Sequence, residues 1–198
     1  MTKKIYTLAA LACISFLSAD GRTYFLEYKG AAFIPVNKCL RSIFGKAAFI
    51  SGPELTFQLH ETNKKWYGFA SIDYMSKHGR SAGLCEPTKM HVVPLGFGAK
   101  YCGGRSWGTI YGGLGLQAIH LKTINCSTYV APITSRWGYG AIAKFGGFID
   151  LRRNFFVDLF ADFSFGRIRK GECCNNIIPE KVCLSGAILG GGIGYRFN

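Results

Sequence analysis

The side chains that could carry chemistry fall into two sets. One is ionic: Glu27, Lys29, Glu54, Asp73, Lys100, Lys144, Asp158, Asp162 and Arg196 recur at alternate positions of otherwise apolar or glycine-rich runs. Two neighbouring carboxylates can share acid and base roles in hydrolysis. Asp158 and Asp162 are not such a pair, because four steps of extended chain separate them by ~13 Å. Mutual pairing is the plainer use of these charges, since a buried ion needs a partner. The other set is thiol: Cys39, Cys85, Cys126, Cys173, Cys174 and Cys183 fall in long connections, and Cys102 falls at a short turn. No Cys-x-x-Cys occurs, and the histidines lack ligand-like spacing to the thiols, which argues against a zinc site. The clusters Gly112-Gly113-Leu114-Gly115 and Gly190 to Gly194 do not open a helix with an acid ~20 residues on, as dinucleotide binding requires. A loop-borne Ser/His/Asp set would have to draw on His78 or His91. The chain is therefore expected to be no enzyme and to need no cofactor.

The elements that must position these residues alternate with period two. Such alternation marks strands with one apolar and one polar face. Eight spans show it: Phe25–Ile34, Pro53–His60, Trp66–Tyr74, Val93–Tyr101, Ile110–Ala118, Tyr139–Asp150, Phe155–Phe165 and Gly186–Phe197. Three joins are short (61–65, 102–108 and 151–154) and four are long (37–52, 76–90, 122–136 and 166–183). Short turns at one end and long loops at the other describe an all-β fold, an up-and-down antiparallel barrel of eight strands with two unlike rims. Ten strands remain open if the first long join hides a hairpin. Strands of ~10 residues would suffice to cross a bilayer at a tilt.

The chain has 198 residues, 48% of them apolar, and a formal charge of +13. That excludes a disordered polycation, which lacks the apolar surface for a core. Lys3 and Lys4, the uncharged run Ile5 to Leu17 and the small residues Ser18 and Ala19 have the layout of a secretory signal peptide. Residues 1–19 are read as that leader and 20–198 as one barrel domain. In an oxidising compartment the seven later cysteines would form disulfides. An odd number leaves one thiol free or linked to another chain.

The polar face decides the class. It holds five acids (Glu27, Glu54, Asp73, Asp158, Asp162) against four bases (Lys29, Lys100, Lys144, Arg196), as a self-neutralising interior would. Glycine is dense on the same face, and aromatics end the apolar face: Trp66, Tyr101, Tyr195 and Phe197 near the short turns, Tyr74 and Phe165 near the long loops. These are the girdles of a membrane barrel whose apolar face looks outward. A soluble lipocalin-like barrel would invert the faces.

The closing run Gly190-Gly191-Gly192-Ile193-Gly194-Tyr195-Arg196-Phe197 resembles the last strand of bacterial outer-membrane proteins, with Asn198 added after the aromatic. Val93 to Tyr101 is similar to a mid-barrel strand of small OmpA/OmpX-like and OmpW-like barrels. The resemblance implies a Gram-negative outer membrane with periplasmic short turns and extracellular long loops. It implies too that Tyr195 and Phe197 are read by the barrel-assembly machinery. A structural or porin-like passive role is then expected, with adhesion or host contact through the loops as the alternative. The loops are basic: Lys38, Arg41 and Lys46; Lys77, His78, Arg80 and Lys89; Arg167, Arg169, Lys170 and Lys181. Anionic lipopolysaccharide suits them better than nucleic acid, for which no motif appears. Loop cysteines could also link neighbouring envelope proteins.

Overall fold

The computed structural model describes residues 23–60, 65–80, 87–105, 108–125, 133–169 and 181–197. Ten strands form one antiparallel sheet: β1 (Tyr24–Pro35), β2 (Ala48–Gln58), β3 (Trp66–Ile72), β4 (Tyr74–Arg80), β5 (Pro87–Arg105), β6 (Gly108–Asn125), β7 (Ile133–Asp150), β8 (Phe155–Arg169), β9 (Lys181–Cys183) and β10 (Gly186–Phe197). Each hairpin neighbour pairs with the next, and β1 pairs with both β2 and β10, so the sheet closes. Eight staves make the barrel, because β3 and β4 are two halves of one and β9 pairs only with the end of β8. A short helix, α1 (Lys38–Phe44), occupies the first long connection in place of a further hairpin, so the barrel has eight staves.

The break between β3 and β4 has a local cause. Pro53 on β2 has no N–H to give the neighbouring strand. Asp73 turns its own N–H to the Pro94 carbonyl on β5 at 3.0 Å. The inward and outward alternation nevertheless runs through the break: Phe69 and Met75 are buried, while Ile72 and Tyr74 are exposed. The turn after β7 places Arg153 and Asn154 at φ of 61° and 65°. Two left-handed residues match the right-handed twist of the strands they join.

Two expectations need correction. The strands are longer than a bilayer crossing demands: β5 has 19 residues and β6 and β7 have 18 each. They consume much of what reads as long loop, because strands beyond the bilayer are wetted on both faces and lose their apolar period. Cys102 is not in a turn. It lies within β5, buried on the inward face, since β5 runs on through Gly103 and Gly104 to Arg105.

Candidate functional site

The polar face is the inside of the barrel. Glu27 and Lys29 on β1, Glu54 on β2, Lys100 on β5, Lys144 on β7 and Asp158 and Asp162 on β8 are all buried. The large apolar residues of the opposite parity are outside: Leu114 is 71% exposed, Phe49 68% and Tyr139 68%. Exposing that many greasy side chains to water would be unstable, so the belt requires lipid around it.

Glu54 is the hub of the interior. Its Oε2 accepts hydrogen bonds from Lys29 Nζ at 3.0 Å and Lys144 Nζ at 2.9 Å, and its Oε1 from Lys100 Nζ. Lys144 also donates to Asp162 Oδ2 at 2.8 Å. Lys29 Nζ stands 3.2 Å from Glu27 and 3.5 Å from Asp158. Tyr111 on β6 donates to Asp158 at 2.8 Å. Asp158 and Asp162 are thus linked through Lys29, Glu54 and Lys144.

Aromatic rings complete the filling. Lys100 Nζ lies 4.4 Å from the Tyr111 ring centre and Lys29 Nζ 4.6 Å from that of Phe160, both within cation–π range. Below the ions, Phe25, Phe148 and Phe156 pack against one another with centroids 4.9–5.8 Å apart. Inward glycines leave room for such rings. A Cβ on Gly98 or Gly115 would fall 2.9 or 2.6 Å from atoms of the Phe69 ring. The glycine-lined lumen is therefore full at mid-height, as eight strands allow.

Two spaces flank the filled middle. Toward the short turns is a cup of about 220 Å³ lined by Thr23, Phe25, Tyr67, Cys102, Thr109, Phe148 and Arg196. Toward the long connections lies a cavity of about 30 Å³, whose wall includes Asp73, Gln117, Ser164, Ile119 and Leu184. There Gln117 donates to Ser164 Oγ at 2.6 Å.

The structure separates two residues from the ionic cluster that the sequence grouped with it. Arg196 is at the mouth of the cup, paired with Asp150 at 2.7 Å and over the Phe25 ring. Asp73, only half-buried at the β3–β4 break, faces the smaller cavity. Strand parity tells the face of a residue but not its height. Tyr111, Phe69, Phe148 and Phe160 were missed as parts of the site, although each shares the parity of a nearby inward charge or glycine.

The aromatic ends are outside. Trp66 meets Tyr101 at 5.3 Å, and Tyr195 meets Phe155 at 5.1 Å and Phe197 at 4.9 Å. Among the described residues, Cys102 and Cys183 are free thiols. Cys39 lies in α1, and Cys85, Cys126, Cys173 and Cys174 lie outside the described residues, as does the 1–19 leader. A thiol-directed maleimide is expected to leave Cys102 unmodified in the folded barrel and to label it after denaturation. Equal labelling before and after would place that thiol in solvent. Two runs have Gly-x-Ser-x-Gly spacing, Gly79-Arg80-Ser81-Ala82-Gly83 and Gly104-Arg105-Ser106-Trp107-Gly108. In the chain each falls between two strands, not between a strand and a helix as a nucleophile elbow does, and both serines lie outside the described residues. Among the described residues no group of acids, histidines and cysteines is arranged to hold a metal.

No family model matches the chain, and no curated protein matches it. Solved structures do. The outer membrane protein OprG from Pseudomonas aeruginosa superposes with a TM-score of 0.62 at 14% identity, over 89% of this chain and 96% of that one. The attachment invasion locus protein Ail of Yersinia pestis, in complex with the heparin analogue sucrose octasulfate, gives 0.52 at 13% identity over 89% and 97%. Neisserial surface protein A gives 0.51 at 13% identity over 88% and 97%. Likeness at such identities is likeness of fold, and it spans nearly the whole of each partner: the chain is built as a small, closed, eight-stave barrel of the outer-membrane type.

Proposed function

We propose that the protein is an integral outer-membrane barrel that serves the envelope as a structural element, with any passage of small solutes passive and slow. One observation carries the reading: ionisable side chains are hidden inside while large apolar ones face out. The filled middle of the lumen weights the role toward structure over transport. The reading includes export through a cleaved leader, insertion by the barrel-assembly machinery through the β10 terminus, and a basic outer rim resting among lipopolysaccharide headgroups. It assigns no catalytic step. Adhesion through the loops, the alternative, depends largely on segments outside the described residues, and loop disulfides to neighbouring proteins depend on cysteines there.

Two measurements test it. The refolded protein is expected to need detergent or bilayer to stay monodisperse and to migrate faster on a gel unheated than boiled. In planar bilayers it is expected to give little or no steady conductance. Monodispersity in plain buffer would end the membrane reading. Large stable channels would end the structural weighting and leave a porin.

A further inference from the structure

Among the described residues, the outer wall on the long-connection side carries basic side chains with no carboxylate beside them. Strand register sets Ser76, His91, Lys122 and Ser135 side by side in one row across β4, β5, β6 and β7. The next row toward the loops sets His78 beside Lys89. All six have outward parity, shared with exposed Tyr74, Phe97, Leu116 and Trp137. The charged groups that bear on the His91 ring are Lys89, Lys122 and His78, all of one sign. Every carboxylate among the described residues is elsewhere: Glu27, Glu54, Asp158 and Asp162 are in the interior, Asp73 faces the small cavity, and Asp150 is at the opposite rim.

Aromatic groups fix the height of this cluster. Tyr74 Oη is 2.6 Å from His91 Nδ1. His120 packs against Trp137, with ring centres 4.8 Å apart, and is 2.8 Å from Ser135 Oγ. Trp and Tyr on the lipid face mark the headgroup level. The outward positions of β1, β2 and β10, from Leu26 and Tyr28 to Phe49 and Ile193, carry no charge, and on β8 the outward Arg167 lies two rows below, beside Tyr139.

We propose that this half-collar is a binding site for the phosphate groups of lipopolysaccharide in the outer leaflet. His91 and Lys122 stand at its centre, His78 and Lys89 above them, and the Ser76 and Ser135 hydroxyls at its edges. The four-strand row spans three strand spacings, about 14 Å, wide enough for a headgroup with more than one phosphate. Lys89 and Lys122, with no acid beside them among the described residues, repel one another, and an anionic headgroup relieves that repulsion. The site rests on the outer-membrane reading and sharpens its general basic rim into one face of the barrel.

The test compares three proteins in phosphatidylcholine nanodiscs doped with lipopolysaccharide: wild type, the wall variant Lys89→Gln/His91→Gln/Lys122→Gln, and the rim variant Lys38→Gln/Arg41→Gln/Lys46→Gln on and beside α1. Lipid retained by each is counted by native mass spectrometry after release into detergent. Wild type and rim variant are expected to keep the lipid. The wall variant is expected to bind it more weakly, on the order of thirtyfold, from the loss of its two lysine charges. Dephosphorylated lipopolysaccharide is expected to be lost from wild type as well. Gel migration without heating, in discs of phosphatidylcholine alone, shows whether the wall variant is folded. Lys122→Gln by itself, with an expected loss of about fivefold, serves if it is not. Equal retention by wall variant and wild type overturns the site. Loss from the rim variant alone also overturns it and returns recognition to the loops. No retention by wild type overturns both the site and the lipopolysaccharide contact of the rim.

Discussion

Replacing Glu54 with Leu is expected to cost about 3–5 kcal/mol of barrel stability, the penalty for leaving buried charges without their partner. Three ammonium groups converge on this one carboxylate: Lys29, Lys100 and Lys144. They come from β1, β5 and β7, so Glu54 ties three other staves to β2. Without it, the nearest carboxylate to Lys100 is Glu27, at 3.8 Å, and its other neighbours are the uncharged Thr56 hydroxyl at 3.4 Å and aromatic rings, Tyr111 nearest. Urea titration in micelles, read by the gel shift between folded and unfolded forms, measures the loss. Adding Lys100→Met to the Glu54 change is expected to recover part of it, because removing both ends of a buried pair is cheaper than removing one. A Glu54→Leu barrel as resistant to urea as wild type would mean that the ions only fill space.

The second large effect lies on the other face. Leu114→Arg is expected to cost about 2–4 kcal/mol in a bilayer, the depth-dependent cost of a cation near the midplane of the lipid face. Leu114 pairs with Ala99 and Ala143, and its neighbour Gly113 pairs with Lys100 and Lys144, so it points to lipid at the height of the ionic cluster. Tyr139→Arg, near the loop-side girdle, is expected to cost only about 0–1 kcal/mol. Unfolding in vesicles by urea separates the two. If Leu114→Arg is harmless or improves solubility, the belt faces water and the barrel is of the inverted, soluble kind.

Much of this was legible in the chain because alternation survives where one face meets lipid. Glu54, Lys100, Lys144, Asp158 and Asp162 all read as one face, and all are inside. What alternation cannot supply is register. That Lys144 reaches a carboxylate 90 residues earlier follows from the shear of the whole sheet, which no local window contains. For the same reason Arg196 was grouped with ions that lie deeper in the barrel. Strand ends were lost for a different reason. Thr123 faces Thr134 across β6 and β7, and Lys122 faces Ser135, in a zone where neither side needs to be apolar. Gly103-Gly104-Arg105 imitates a turn in composition while continuing β5. Trp137 falls between the 122–136 join and the Tyr139–Asp150 span, so the reading assigns this marker of the outer girdle to no strand, although β7 begins at Ile133.

The seam between β1 and β10 has a temporal consequence. Glu27 and Lys29 are synthesised early, Asp158 far later, and Gly192 and Gly194, which face them across the seam, last. Until then the earliest segment carries naked ions that hydrocarbon will not accept. Closure of the cylinder should therefore be all-or-none, timed by the arrival of the final stave.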